Sequence, residues 1–350
     1  MIKIYNKKIS YKSSPFIIAE IGINHNGSIN KAFKLIDFAV AAKCDAVKFQ
    51  TININNLMVK NTPLAKYQKK TKFKSMNELI EKYNLEYNDF IKLKNYCKKK
   101  KIIFLSTPFD VESAIFLNKI NVPAFKISST DNDNIFLIET IKKFNKPVIL
   151  STGMTNINEL KKILELIKFK KNKLAILHCI SDYPTKIKDT KLGAIDQIKK
   201  FGYLIGFSDH TKDSSAAIAS IAKGATIIEK HITLDNNMEG PDHKASLECK
   251  KLGQFVKDLR DIKISLLDNK NSISKKENLT KKIAKKSIYF SKNLKKNHKI
   301  KKNDLIALRP RLEGISPIEY KKIVGKTLKN HVKVNSIFHY KKIKWKREFF

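Results

Sequence analysis

Eight short apolar runs, each ending in polar residues and followed by a stretch of helical periodicity, constrain this chain more than any other feature. They are Phe16–His25 (FIIAEIGINH), Ala46–Thr51 (AVKFQT), Ile102–Pro108, Ala124–Ser129, Pro147–Gly153, Leu174–Ile180, Leu204–His210 and Thr226–Ile232. Runs this rich in Ile, Val and Phe and too short for helices read as strands buried on both faces. Eight of them alternating with helices predict an α/β fold, a closed parallel (β/α)8 TIM barrel, for which ~250 residues is typical. Residues 14–270 supply that length, and an open doubly wound sheet is the alternative.

How the runs end is as informative as how they recur. Their last residues include Glu20 and Asn24, Lys48 and Gln50, Ser106 and Thr107, Lys126 and Ser129, Ser151 and Thr152, His178, Ser208 and His210, and Glu229 and His231. In a parallel barrel the C-terminal strand ends open on one mouth, so these residues are expected to form one polar pocket, read as an active site. Lys48, flanked by Val47 and Phe49, is costly to bury unless an anion compensates it, snorkelling to solvent being the bland alternative. Lys126 repeats the pattern. Two such lysines with the hydroxyls of Thr107, Ser129, Ser151 and Ser208 are what a phosphate and carboxylate site needs. No GxGxxG or GxxxxGK[ST] loop accompanies them, so nucleotide binding is not supported.

His210 and His231 end neighbouring strands, where two imidazoles reach one divalent metal and leave coordination positions open. Hydrogen-bonded buried histidines are the competing reading; Glu229 and the following Gly240–His243 (GPDH) favour the metal. His25 taken alone reads as a loop histidine satisfied by backbone. The polar stretch Leu64–Lys72 lies in a long strand-to-helix connection and is a candidate lid or an ordinary helical excursion. At the start of the chain Ile2, Ile4, Ile9 and Tyr11 are placed to cover the bottom of the barrel.

Residues 1–268 are assigned to the barrel with its short arm, 269–286 to a linker, and 287–350 to a small β-rich domain with strand-like runs at SIYFS, ALRP and SIFHY. Trp345 is assigned to packing there. The four cysteines, Cys44, Cys97, Cys179 and Cys249, are scattered without a CxxC pair and are expected to be reduced, Cys179 packing as a small apolar residue. No apolar stretch reaches membrane-spanning length and the start lacks a leader pattern, so a soluble, cytoplasmic protein is expected. The net charge of +39 raises the question of nucleic acid, but the lysines are spread over every helix and arginine occurs only at Arg260, Arg309, Arg311 and Arg347. No nucleic-acid or membrane partner is therefore expected. A positive mouth still attracts an anionic substrate.

With these stretches in view, the chain resembles the sialic acid (N-acetylneuraminate) synthase family almost end to end. The resemblance is carried by IAEIGINHNGS (Ile18–Ser28), DAVKFQT (Asp45–Thr51), FLSTPFD (Phe104–Asp110), LSTGM (Leu150–Met154), LHCISDYPT (Leu177–Thr185), GFSDHT (Gly206–Thr211), EKHITLD (Glu229–Asp235) and GPDHKASLE (Gly240–Glu248). Arg309-Pro310 and GISP (Gly314–Pro317) resemble the antifreeze-like (SAF) domain that ends these enzymes. The resemblance implies condensation of phosphoenolpyruvate with N-acetylmannosamine, giving N-acetylneuraminate and phosphate. It implies that Lys48, Thr107, Lys126, Ser129, Ser151, Ser181 and Ser208 hold phosphoenolpyruvate and that Gln50, Asp131, Tyr183 and Asp242 surround the sugar with Glu20. His210 and His231 would hold Mn2+ or Mg2+, and Glu20 or Glu229 would serve as base. A domain-swapped homodimer is implied, in which Arg309 reaches the partner's barrel and the sugar's acyl group.

Thr130-Asp131 stands where many relatives have Gly-Glu, and Arg311 where a glycine often follows the Arg-Pro pair. Both departures fall where the acceptor sugar is expected, making synthesis of a related nonulosonic acid such as legionaminate the close alternative. A Schiff-base aldolase and a non-catalytic basic binding protein are the readings from other classes.

Overall fold

The computed structural model describes residues 1–64, 73–267 and 272–344. Residues 65–72 of the candidate lid and Trp345 lie outside the described residues. The chain divides into two compact units, Met1–Asp268 and Asn269–Phe350.

The first unit holds eight parallel strands: β1 (Phe16–Gly22), β2 (Ala46–Thr51), β3 (Ile103–Pro108), β4 (Phe125–Ile127), β5 (Val148–Ser151), β6 (Leu174–Cys179), β7 (Leu204–Asp209) and β8 (Ile227–Thr233). Their ladders run β3-β2-β1-β8-β7-β6-β5-β4. The two end strands then lie side by side, so the sheet curls into a nearly closed TIM-like barrel and the open sheet is ruled out. The unladdered seam has a local cause. Three-residue β4 starts just after Pro123, which has no N–H to give a ladder, and ends in the turn at Ser128.

Alternation along the strands makes two cores. Outward side chains such as Ile17, Ala19, Val47 and Phe104 pack under the helices. Helix Ile29–Ala41 is typical: Ser28 accepts the Lys31 N–H at its N-terminus, and Ala32, Leu35, Ile36 and Ala39 are buried at the expected period. The inward core contains Phe16, Ile18, Ala46, Ile103, Leu105, Ala124, Ile149, Ala175, Leu177, Leu204 and Ile227, joined by Ile2, Ile4 and Ile9 of an N-terminal hairpin. That hairpin stops the bottom of the barrel as the sequence suggests. Tyr11 instead turns outward, 43% exposed, with its hydroxyl donating to the Tyr203 carbonyl.

Two strand boundaries differ from the sequence reading. β1 ends at Gly22, whose φ of +54° and shifted register against β2 turn the chain away before Asn24 and His25. The fourth run contracts to Phe125–Ile127, and Ser128–Asp131 form a hydrogen-bonded turn.

In the second unit, the stretch read as a linker contains a helix, Lys275–Ala284, begun by Ser274 accepting the Glu277 N–H at 3.1 Å. It buries none of its residues, which is why hydrophobic periodicity does not reveal it. Ser287–Phe290 pairs antiparallel with Leu305–Leu308, and Thr327–Leu328 with Ile343–Lys344. Around them pack Ile288, Phe290, Ile300, Ile323 and Phe338. ALRP is strand only to Leu308, before Pro310 removes a donor, and SIFHY contributes a single bridge at Ile337.

Candidate active site

One step above the apolar inner core, the inward positions turn polar. Glu20, Lys48, Thr107, Lys126, Ser151, Cys179, Ser208 and Glu229 form a floor, and Gln50, His210 and His231 stand just above it in a cavity of about 850 Å3. Ser129, Ser181, Tyr183 and Asp242 join them from the loops. Of the residues expected to hold substrate, metal or proton, all but Asp131 and Arg309 line one mouth.

The floor is an alternating net of charge. Lys48 Nζ lies 2.8 Å from Glu20 Oε2 and donates to Thr107 Oγ1 at 2.8 Å. Lys126 Nζ donates to Ser151 Oγ at 2.7 Å and to the Ile127 carbonyl at 3.2 Å. Glu229 sits between the ammoniums, 3.8 Å from Lys48 and 3.7 Å from Lys126, and accepts from Ser208 Oγ at 2.9 Å. Both lysines are at most 4% exposed, so snorkelling is excluded.

The two carboxylates live in different fields. Burial pushes Glu20 up to about 7, Lys48 only partly opposing it and the Glu229 charge adding to it. Burial acts on Glu229 too, but Lys126 and Lys48 overcome it and hold it down at about 2. Glu229 is therefore the standing anion, and Glu20 exchanges a proton near neutral pH. Desolvation draws the Lys126 ammonium below its usual range, whereas Glu20 and Glu229 overcome desolvation at Lys48 and hold it above. With two ammoniums against one committed carboxylate, the floor has net positive charge to offer an anion.

The imidazoles of His210 and His231 stand over this floor, ring centres 5.5 Å apart, with the Tyr183 ring 4.2 Å from His210. His210 Nδ1 is 2.7 Å from the Ile180 carbonyl; donating its proton there leaves the lone pair on Nε2. Buried His231 Nδ1 has no hydrogen-bond partner among the described residues, and burial with the charge of its neighbours keeps the ring well below its usual pKa, in the neutral form a metal binds. Among the described residues no three His, Cys, Asp or Glu side chains converge to hold an ion alone. The two imidazoles, ring centres 5.5 Å apart and with free ring nitrogens, fit an ion only if water or substrate supplies its other ligands. Asp242 lies at the rim, its carboxyl raised to about 6 by burial.

Several expected residues do not face the mouth. Asn24 donates to the Ile232 carbonyl and Ser246 Oγ, each at 2.8 Å, while His25 Nδ1 accepts the Gly27 N–H, the backbone-satisfied loop histidine that the sequence suggests. Ser106 is tied to Thr51, His178 Nε2 to the Thr190 carbonyl, and His243 to Thr233 and Asn26, so of GPDH only Pro241 and Asp242 line the cavity. Asp131 does not line it either. Its carboxylate accepts from Ser128, Thr130 and Asn134 and so fixes the turn that carries Ser129. Arg309 belongs to the second unit.

Two residues that shape the mouth carry no site expectation from the sequence, Cys179 in its lining and Gly153 behind Ser129 and Ser181. Cys179, assigned to apolar packing, lines the cavity, with Sγ accepting from Ser129 at 3.5 Å and 3.8 Å from His210 Nδ1. Burial alone would raise its thiol, and the His210 ring more than cancels that. Its parity with Ala175 and Leu177 carried the signal. Gly153 donates its N–H to Ser129 Oγ at 2.9 Å, and a Cβ there would fall 2.2 Å from Ser181 Oγ, so only glycine lets both hydroxyls converge.

Above the floor the wall changes character. Ile23, Ile52, Leu57, Met58, Met76, Ile80, Phe109 and Met154 form an apolar rim, much of it supplied by the long connection between β2 and β3. Helices Met76–Tyr83 and Tyr87–Lys100 occupy that connection.

The NeuB family model matches residues 35–271, and the SAF domain model residues 285–344. The chain is 37% identical to an N,N'-diacetyllegionaminic acid synthase of Campylobacter jejuni over 327 residues, 92% of this chain and 98% of that one. It is 34% identical to a pseudaminic acid synthase of the same species, covering 91% and 93% of the two chains. A crystal structure of an N-acetylneuraminic acid (sialic acid) synthetase from Leptospira borgpetersenii, in complex with citrate, superposes with a TM-score of 0.70 at 35% identity over 80% of this chain and 94% of that one.

Proposed function

Since the chain belongs to the NeuB family of sialic-acid-type synthases, we propose that it condenses phosphoenolpyruvate with an N-acylated amino sugar, forming a nonulosonic acid and phosphate. The observation that carries this reading is the floor: two buried ammoniums and a ring of hydroxyls around one standing carboxylate, directly beneath two imidazoles. Lys48 with Thr107 and Lys126 with Ser151 receive the phosphate and carboxylate of phosphoenolpyruvate, and Ser129, Ser181 and Ser208 supply the shorter donors. Holding the enol there aims its methylene carbon up at the sugar's aldehyde.

Carbon–carbon bond formation moves the aldehyde's π pair onto its oxygen, which takes up a proton to become a hydroxyl, and leaves a cation at the former enol carbon that the Glu229 charge stabilises from below. Water adds to that carbon while Glu20, poised near neutrality, takes its proton. The phosphate then departs with the bridging oxygen, leaving the keto acid. His210 and His231 would hold a divalent ion, manganese or magnesium, which supplies Lewis acidity at the aldehyde oxygen. Gln50, Tyr183 and Asp242 orient the sugar, and in a domain-swapped homodimer Arg309 of the partner subunit would approach its acyl group.

The acceptor reading rests on the rim. An apolar wall of isoleucines, methionines and Phe109 suits acetamido methyls and a deoxy carbon better than a run of hydroxyls, which supports a 2,4-diacetamido-6-deoxy sugar, the legionaminate type. The greater length and identity of the match to the diacetyllegionaminic acid synthase favour the same choice. N-acetylmannosamine is the second reading, favoured by the likeness to the Leptospira synthetase.

The test is phosphate release with Mn2+ and phosphoenolpyruvate, offering each sugar separately and analysing products by mass spectrometry. Phosphoenolpyruvate labelled with 18O in the bridge should pass its label to phosphate. Label retained in the keto acid sinks the mechanism, and preference for N-acetylmannosamine sinks the acceptor assignment.

A further inference from the structure

In the sequence Glu229-Lys230-His231, alternation sends Lys230 to the opposite face of β8 from its neighbours. It points away from the mouth, under the helix Cys249–Leu267, and is 1% exposed. A buried ammonium demands partners, and this one has them all on a single segment. Its register partner across the ladder is Asp209, also outward-facing, whose Oδ2 accepts from Lys230 Nζ at 2.8 Å. The same ammonium donates to the carbonyls of Thr211 and, at 3.0 Å, Asp213. Asp209 Oδ1 in turn accepts the Thr211 N–H at 2.9 Å and its hydroxyl at 2.8 Å.

The residues so gripped stand on both sides of His210, and the residue that grips them immediately precedes His231. We propose that Lys230 is a positioning residue: with Asp209 and Thr211 it forms a clasp behind the barrel wall that fixes the separation and facing of the two imidazoles. This rests on the reading that those imidazoles hold a divalent ion. A backbone strand end alone leaves His210 free to swing with its loop, whereas the clasp locks the loop to β8 through three donors of one ammonium. The competing role is purely structural, an ion pair sealing the wall beneath Phe255, whose ring centre is 6.0 Å from Nζ.

The two roles separate on metal affinity. The double variant Lys230→Met/Asp209→Asn removes the clasp without leaving a lone buried charge, and Thr211→Val cuts only its hydroxyl link. Mn2+ binding by the full chain is followed by electron paramagnetic resonance, alongside thermal melting. The double variant should bind Mn2+ on the order of 10–100-fold more weakly, with KM for phosphoenolpyruvate at saturating Mn2+ unchanged because Lys48 and Lys126 are untouched. Thr211→Val should show a smaller loss in the same direction.

A folded double variant with wild-type Mn2+ affinity overturns the proposal. Should it fail to fold, unchanged affinity in Thr211→Val does so. A wild type that binds no Mn2+ fails the metal reading instead. The clasp is then judged by 15N spectra of histidine-labelled wild type and Thr211→Val, where unmoved His210 and His231 signals overturn it and displaced ones support it.

Discussion

The floor and the rim of the mouth are built by opposite means. The floor comes from strand residues in hydrogen-bonded register, such as Glu20 beside Lys48 and Glu229 beside Ser208, each buried and paired to a neighbour across the ladder. The rim comes from loops and from the small cluster around Ile23, Ile52, Leu79, Ile80 and Tyr83. Ladder geometry leaves little freedom, so the floor suits a fixed chemistry; connections vary without disturbing the barrel, so the rim suits the choice of acceptor.

The sharpest break of this comparison is at the imidazoles above the floor. His231→Ala should reduce turnover to background while the protein still melts cooperatively; retained full activity would end the metal assignment. Within the floor, Lys126→Met should lower kcat/KM for phosphoenolpyruvate by ~10²–10³-fold, the usual scale for losing one preorganised charge. It should do so equally with either sugar, and dependence on the sugar would mean that floor and rim are not separable. At the rim, Ile80→Asn should shift the ratio of kcat/KM between the diacetamido sugar and N-acetylmannosamine by about 10-fold, in the range expected for one apolar contact. The KM for phosphoenolpyruvate should stay put.

Proton linkage gives the smallest effects and places both carboxylates on opposite sides. Glu20 is raised to about 7, so its contribution to stability is complete below its unfolded value near 4.5 and lost as pH rises through about 7. Glu229 is depressed to about 2, so its contribution is complete above 4.5 and lost as pH falls toward 2. Chemical denaturation from pH 4 to 8 should show wild type losing stability relative to Glu20→Gln across that window. Parallel pH profiles would contradict the raised carboxyl. The kcat/KM of wild type should rise through about pH 7, a limb absent in Glu20→Gln.

The floor was legible in the sequence because period-two alternation assigns a side to each strand residue without knowledge of contacts. Lys48 and Gln50, or Glu229 and His231, share a face by spacing alone. The same rule applied to Cys179 puts it in the mouth, against the apolar packing that its residue type suggests. Asn24 falls outside the mouth because nothing local announces that β1 stops at Gly22 and shifts register. Asp131 is placed at the sugar by motif resemblance alone, which does not show that its carboxylate is taken up by Ser128, Thr130 and Asn134. The rim could not be read at all. Met58, Met76 and Ile80 come from separate pieces of a long connection, Phe109 follows β3, and they meet only in three dimensions. The helix Lys275–Ala284 escaped for the opposite reason, since it buries nothing.

The hairpin that stops the barrel gives the chain a timetable. Ile2, Ile4 and Ile9 are translated before any barrel strand, yet the surface that receives them is gathered from the length of the barrel, β8 bringing Ile227. Throughout synthesis of the barrel these isoleucines have no finished seat, and the inner core stays open to water from below until β8 closes against β1. Residues made ahead of the barrel are therefore among the last to be shielded, and a newly made chain stalled before β8 presents both a greasy stopper and the hole it was made for.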